Sequence, residues 1–142
     1  MLFRSVIGTL LLNSFTALVL FDTGASHSFI SKDFVRKHGL SVETIGKPMK
    51  VSSPGGEMIV NAGCRQLVLQ IGKYCFPVDL IVLDSQGLDV ILGMDWMTRF
   101  GGVIDCVNRT ISLTIPNNKR IKFKSKFKLK QVKLNSFKGG SL

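Results

Sequence analysis

An all-β barrel or sandwich is the fold class this sequence predicts, and three observations predict it. Apolar runs of strand length recur along the chain, turn-forming clusters separate them, and only two stretches carry a helical pattern. With 142 residues and 45% hydrophobic content, the chain holds one domain with a real core.

The elements follow in order. Val6–Leu12 and Thr16–Phe21 read as a hairpin turning at Asn13-Ser14-Phe15. That apolar stretch has the look of a signal-peptide core behind Arg4. However, Asn13-Ser14 divides it, no small-residue cleavage site follows, and it is too short to span a membrane as a helix. Ser31 caps a short surface helix, Lys32–His38, which Gly39 stops and whose apolar residues are Phe34 and Val35. Met49–Ser53 and Glu57–Val60 flank Pro54-Gly55-Gly56 as strand, turn and strand. Leu67–Ile71 alternates up to a turn at Gly72-Lys73, and Phe76–Leu83 makes the next strand. Val90-Ile91-Leu92 is a short apolar run ended by Gly93, followed by one or two helical turns over Met94–Phe100. Val103–Val107 and Thr110–Ile115 form a last hairpin around Asn108-Arg109, and the glycosylation sequon at Asn108-Arg109-Thr110 is read as that turn. No internal repeat is present.

The net charge of +10 is unevenly spread. Residues 1–116 carry ten Lys/Arg against nine Asp/Glu, whereas residues 117–142 carry nine Lys/Arg and no acid. The expected organisation is a folded domain over 1–116 and a basic tail over 117–142. Within the tail, period-2 alternation over 121–129 allows an extra strand, with Ile121, Phe123, Phe127 and Leu129 on one face and lysines on the other. Cys64, Cys75 and Cys106 form an odd set without CxxC spacing. They are read as buried free thiols, and with two histidines in the chain no metal site is expected.

The chemistry-bearing cluster is Leu20-Phe21-Asp22-Thr23-Gly24-Ala25-Ser26. A carboxylate directly behind a buried apolar strand sits at the edge of a low-dielectric interior, where its protonation is easily tuned. Thr23 can hydrogen-bond a partner backbone, and Gly24 permits close approach. By itself the Asp-Thr-Gly tripeptide also fits an ordinary turn at a strand end. A second cluster, Asp89-Val90-Ile91-Leu92-Gly93-Met94-Asp95-Trp96, stands about seventy residues on.

Together, Val19 to Ile30 and Asp89 to Trp96 resemble the retropepsin-like aspartic proteases of Ty3/gypsy-type LTR retrotransposon polyproteins, those of plants in particular. The resemblance covers roughly residues 6–115. It implies a closed retropepsin-like barrel whose site forms at the two-fold interface of a homodimer, with Asp22 from each subunit as the catalytic carboxylate. It implies that Thr23 interlocks the subunits, that Gly24 helps hold peptide, and that Ile91, Leu92 and Gly93 support the aspartate loop from beneath. Ala25 stands where pepsin-like relatives often have Ser, which implies a less acidic optimum. Ser53, Pro54, Gly55 and Gly56 match the flap tip. His27 and Asp95 are read as structural, Asp95 as a helix-start or salt-bridge residue, and Trp96 as a core anchor.

The implied activity is hydrolysis of peptide bonds in an element's own polyprotein, with no cofactor, in the cytoplasm or a virus-like particle, and with no membrane partner. Because no polymerase motif follows, the chain reads as an excised domain, a truncated copy or a host gene derived from an element. Two other readings stay open. One is a catalytically inactive retropepsin-fold module for oligomerisation or peptide binding. The other is non-specific nucleic-acid binding through the tail, 117–142, which brings nine positive charges but few aromatic residues.

Overall fold

The computed structural model describes residues 5–53, 56–85 and 87–125. Its first hairpin joins β1 (Ser5–Leu12) to β2 (Phe15–Asp22) in antiparallel register from Ser5↔Asp22 to Leu12↔Phe15. The turn is two residues long rather than the three expected. Asn13 and Ser14 both take left-handed backbone conformations (φ 49° and 72°), which suits the twist of a two-residue hairpin. Asn13 also exchanges hydrogen bonds with Val68, so the turn is fastened to a later strand.

After the aspartate loop come β3 (Phe29–Ser31) and α1 (Lys32–His38). Ser31 Oγ accepts from the Phe34 N–H and Gly39 ends the helix at φ 61°, so both termini lie where the residues demanded. The strand β3 was not foreseen: three residues show no periodicity.

Next, β4 (Glu43–Ser53) and β5 (Gly56–Ile71) pair antiparallel. Both exceed their expected lengths. Strand β4 runs on through Pro48, which an edge position allows because no N–H is needed there. Strand β5 merges two expected strands across a bulge at Arg65-Gln66, where Gln66 takes φ 58° and its N–H donates to Asp79 Oδ1 at 2.7 Å.

The chain continues through β6 (Tyr74–Leu83), β7 (Val90–Leu92), α2 (Met94–Arg99), β8 (Val103–Asp105), β9 (Thr110–Ile115), a 3-10 turn at Pro116–Asn118, and β10 (Lys119–Lys124). Strand β8 stops two residues short of expectation because Asp105 accepts from both the backbone N–H and the side-chain amide of Asn108 and opens the turn.

Seven strands lie in the order β1-β2-β7-β3-β6-β5-β4, and β5 returns to pair with β1 at Leu11↔Gln70 and Leu12↔Leu69. The ring of β1, β2, β7, β3, β6 and β5 is therefore closed, giving the mostly β, retropepsin-like barrel expected, with two short helices. A second sheet, β10-β9-β8, covers one side. Its β10 extends the pairing past residue 116, and its alternation places Ile121 and Phe123 against the main core with lysines outward. The remainder of the strand foreseen over 121–129 lies beyond the described residues from 126 onward.

Two apolar clusters fill the molecule. The larger joins Phe21, Leu69, Phe76, Leu92, Trp96 and Ile111. Trp96 meets Phe21, Phe76 and Phe100 ring to ring and donates through Nε1 to the Pro77 carbonyl. It is the core anchor it was read to be. The smaller cluster joins Ile7, Leu20, Ala25, Phe29, Val51 and Ile91 beside the aspartate loop. The thiols depart from expectation. Cys64 is buried, Cys106 is half-buried, and Cys75 is exposed, on the outward-facing phase of β6. Burial and the Glu43 carboxylate both push the Cys64 thiol above its ordinary value. Among the described residues no helix is long and apolar enough to cross a membrane.

Candidate active site

Asp22 is the last residue of β2, following the fully buried Phe21. Strand β7 runs parallel to β2 (Val19↔Val90, Leu20↔Ile91, Phe21↔Leu92) and antiparallel to β3 (Phe29↔Ile91, Ile30↔Val90). The loop from Asp22 to Ser28 thus leaves β2 and re-enters as β3, with β7 inserted between the two. Its near end is a turn in which the Gly24 N–H donates to Asp22 Oδ1 at 2.8 Å and the Ala25 N–H donates to the Asp22 carbonyl. This hydrogen bond from a backbone N–H orients the carboxylate. Asp22 and Thr23 are partly exposed and Gly24 is exposed.

The supporting residues converge from the other side. Ile91 and Leu92 are buried in β7, and Gly93 follows directly beneath the loop. A Cβ on Gly93 would stand 2.4 Å from the His27 carbonyl oxygen and 2.6 Å from that of Ala25, distances no real side chain tolerates. Met94 N–H donates to the Ala25 carbonyl at 2.7 Å, tying the start of α2 to the same loop. Asp22, Thr23, Gly24, Ala25, Ile91, Leu92 and Gly93 are therefore brought together by the fold. Of the residues expected at the flap tip, Ser53 ends β4 and Gly56 begins β5, and the two pair across the hairpin. Pro54 and Gly55 lie outside the described residues.

His27 is held sideways by Ser26, whose Oγ lies 2.9 Å from Nδ1. Asp95 sits in the first turn of α2 and accepts from Ser28 Oγ and the Trp96 N–H. That is a helix-start position; the ion pairs formed among the described residues, Arg36–Asp33 and Arg65–Glu43, do not include it.

Two residues inside the resembling stretches, Asp89 and Ser28, have no role assigned from sequence. Asp89 Oδ2 accepts from the Leu18 N–H at 2.7 Å, while its own N–H and carbonyl bond Leu18 and Ser31, so it fixes the entry of β7 between β2 and β3. Ser28, buried beside Gly93, is the other. A cleft of about 340 Å³ opens against Ser28 and Asp95 and is lined further by Thr44, Cys64, Asp79 and Leu80; Asp22 is not part of its wall. Among the described residues no group of His, Cys, Asp and Glu has a metal-binding arrangement.

A partly exposed carboxylate on a glycine-backed turn, at the end of one strand of a closed barrel, is an arrangement that can serve an aspartic protease. The retroviral aspartyl protease family model matches residues 4–119, and the chain belongs to that family. DNA damage-inducible protein 1 of Yarrowia lipolytica is 33% identical over 98 residues, covering 69% of this chain and 24% of that protein. The UBA domain-containing protein Mud1 of Schizosaccharomyces pombe is 27% identical over 93 residues, covering 65% and 28%. The chain thus spans about a quarter of the length of these curated relatives. In fold it is similar to the retroviral protease-like domain of Ddi1 from Leishmania major (TM-score 0.66, 18% identity, covering 89% of this chain and 98% of that one). It is also similar to the EIAV protease seen in complex with the inhibitor HBY-793 (TM-score 0.56, 18% identity, covering 73% and 95%).

Proposed function

We propose that two copies of this chain assemble into one aspartic endopeptidase, with Asp22 from each copy as the catalytic pair. The observation that carries this reading is the partly exposed, backbone-held Asp22 carboxylate at the end of a buried strand. Two such carboxylates brought together cannot both ionise cheaply, the behaviour known for aspartic-protease dyads, so one keeps its proton. The ionised Asp22 takes a proton from the water between them as the water oxygen attacks the peptide carbonyl carbon. The protonated Asp22 donates to the developing oxyanion. Collapse of the tetrahedral intermediate breaks the C–N bond; the leaving amine takes the proton that the first Asp22 removed from the water, and the proton on the former oxyanion returns to the second Asp22. In this reading Thr23 interlocks the subunits and Gly24 binds peptide backbone. Ile91, Leu92 and Gly93 hold the loop, and Ser53 to Gly56 close as a flap that excludes water. Ala25 withholds the hydroxyl that would favour the charged aspartate, which moves the optimum toward neutral pH.

Two sources of substrate are supported. The motifs around Asp22 and Gly93 favour a Ty3/gypsy-type polyprotein processed in the cytoplasm, whereas the Yarrowia and Leishmania matches favour a Ddi1-like protease. Transcript mapping separates them: a frame running on into reverse transcriptase supports the first, and expression that rises after DNA damage supports the second. The basic segment 117–142 is proposed to add weak, salt-sensitive contact with nucleic acid, to be tested by RNA retention at rising salt before and after its lysines beyond Lys124 are replaced by glutamine, which leaves β10 in place.

Cleavage of an unfolded polypeptide tests the central claim. Activity should rise faster than linearly with chain concentration and vanish in Asp22→Asn. A folded wild-type chain that stays inert at every concentration and pH sinks the enzyme reading and leaves a binding module.

A further inference from the structure

We propose that Ser28 is a positioning residue for the Asp22 loop, acting through Gly93 with Asp95 as its anchor; the proposal rests on the protease reading of Asp22. Ser28 is 1% exposed and stands at the far end of the aspartate loop, where its carbonyl is fixed to β6 by the Ile81 N–H. Its hydroxyl works in both directions. It accepts from the buried Gly93 N–H at 2.9 Å and donates to Asp95 Oδ1 at 2.6 Å. Asp95 Oδ1 also takes the Trp96 N–H at 2.7 Å, and Trp96 is locked in the core. The relay therefore runs from a buried tryptophan, through a carboxylate and a hydroxyl, to the one residue on which the loop rests.

Gly93 has no slack on its loop side, since the carbonyls of Ala25 and His27 occupy the space a Cβ would take. Its height is set by the N–H bond to Ser28. The next N–H, that of Met94, holds the Ala25 carbonyl three residues from Asp22. Removing the hydroxyl leaves a buried N–H without its acceptor, and such a group moves or recruits water to recover one. Either response shifts Gly93, and the Asp22 carboxylate follows through Ala25 and Gly24. In a two-carboxylate site, small misplacements act on the reacting geometry and not on how strongly peptide is held along the cleft.

The test compares wild type with Ser28→Ala, Ser28→Thr and Ser31→Ala for kcat, KM, thermal midpoint and amide exchange at Gly93 and Met94. Ser28→Ala should lose about a hundredfold in kcat with KM nearly unchanged, and those two amides should exchange faster. Ser28→Thr, which keeps the hydroxyl, should recover most of kcat. Ser31→Ala removes only the α1 cap; it should lower the midpoint and leave kcat alone. Equal kcat in Ser28→Ala and Ser31→Ala would overturn the proposal, as would failure of a folded Ser28→Thr to restore activity. If Ser28→Ala does not fold, Asp95→Asn, which weakens the anchor but keeps an acceptor, should lower kcat by a smaller factor; unchanged kcat counts against the relay. An inert wild-type protein would instead refute the protease reading. The relay is then judged on the Gly93 amide, whose exchange must quicken in Ser28→Ala or Asp95→Asn.

Discussion

The aspartate loop and the flap hairpin sit on one small apolar cluster, yet they are built on opposite plans. Around Asp22 the support is backbone against backbone: β7 lies between β2 and β3, and Gly93 presses on two carbonyls. In β4–β5 the register shifts between Thr44 and Met49, so the outer part of the hairpin is offset from its base. That outer part rests on the barrel through Val51, which is buried, and through Met49, Met58 and Val60, which are partly so; Ile59 on its other face is 70% exposed. In the proposed protease the carboxylate must hold a fixed geometry, whereas the hairpin acting as flap must open and close. Dense main-chain contact serves the first need, and a lightly anchored side-chain contact serves the second.

Substitutions that probe each plan should differ in size. Gly93→Ala forces a Cβ into backbone that cannot retreat. It should cost about 3 kcal/mol or more of stability, read from urea unfolding, and abolish turnover. A stable, active Gly93→Ala would break the contrast. Val51→Ala removes the buried contact of the flap root and should cost about 2 kcal/mol, with a higher KM. Gly63→Ala tests the same kind of crowding against softer material. Its Cβ would stand 2.6 Å from the Ile45 Cγ2 methyl and 3.1 Å from the Leu80 carbonyl, so Ile45 must change rotamer, at a cost of about 1–2 kcal/mol.

The smallest effect concerns neither region and serves as a baseline. The side chain and backbone of Asn108 hold the Asp105 carboxyl below the usual aspartate range. A depressed folded value gives stability that is present above the ordinary aspartate pKa and is lost as pH falls through the lowered one. Asn108→Ala should move the Asp105 titration back toward the ordinary range, seen by carboxyl NMR. Its stability deficit should then be present at neutral pH and shrink in acid.

Much of the fold was legible because the local signals agreed with one another. Ser31 and Gly39 bounded α1 as their chemistry requires, Asn13-Ser14 turned the first hairpin, and the alternation from Ile121 carried into β10. Strand ends were less legible. Nothing local to Glu57–Val60 and Leu67–Ile71 says that they are one bent strand, since the bulge at Gln66 is sustained by Asp79 from β6. The three-residue β3 exists only because β6 and β7 supply partners on either side.

The same division runs through the site. The catalytic and supporting roles came from the family resemblance; the residues themselves showed an acid behind an apolar strand, a glycine that lets backbone close in, and an apolar-apolar-Gly run. Those are properties of side-chain type and short spacing, which sequence carries directly. Only the tertiary structure decided that Ser28 and Asp95, 67 positions apart, would meet at 2.6 Å, and that Asp89 would fasten β7 to Leu18. A serine and an aspartate have many possible partners in a chain of this length. Which ones they take is set by the parallel insertion of β7, a long-range pairing with no local signature.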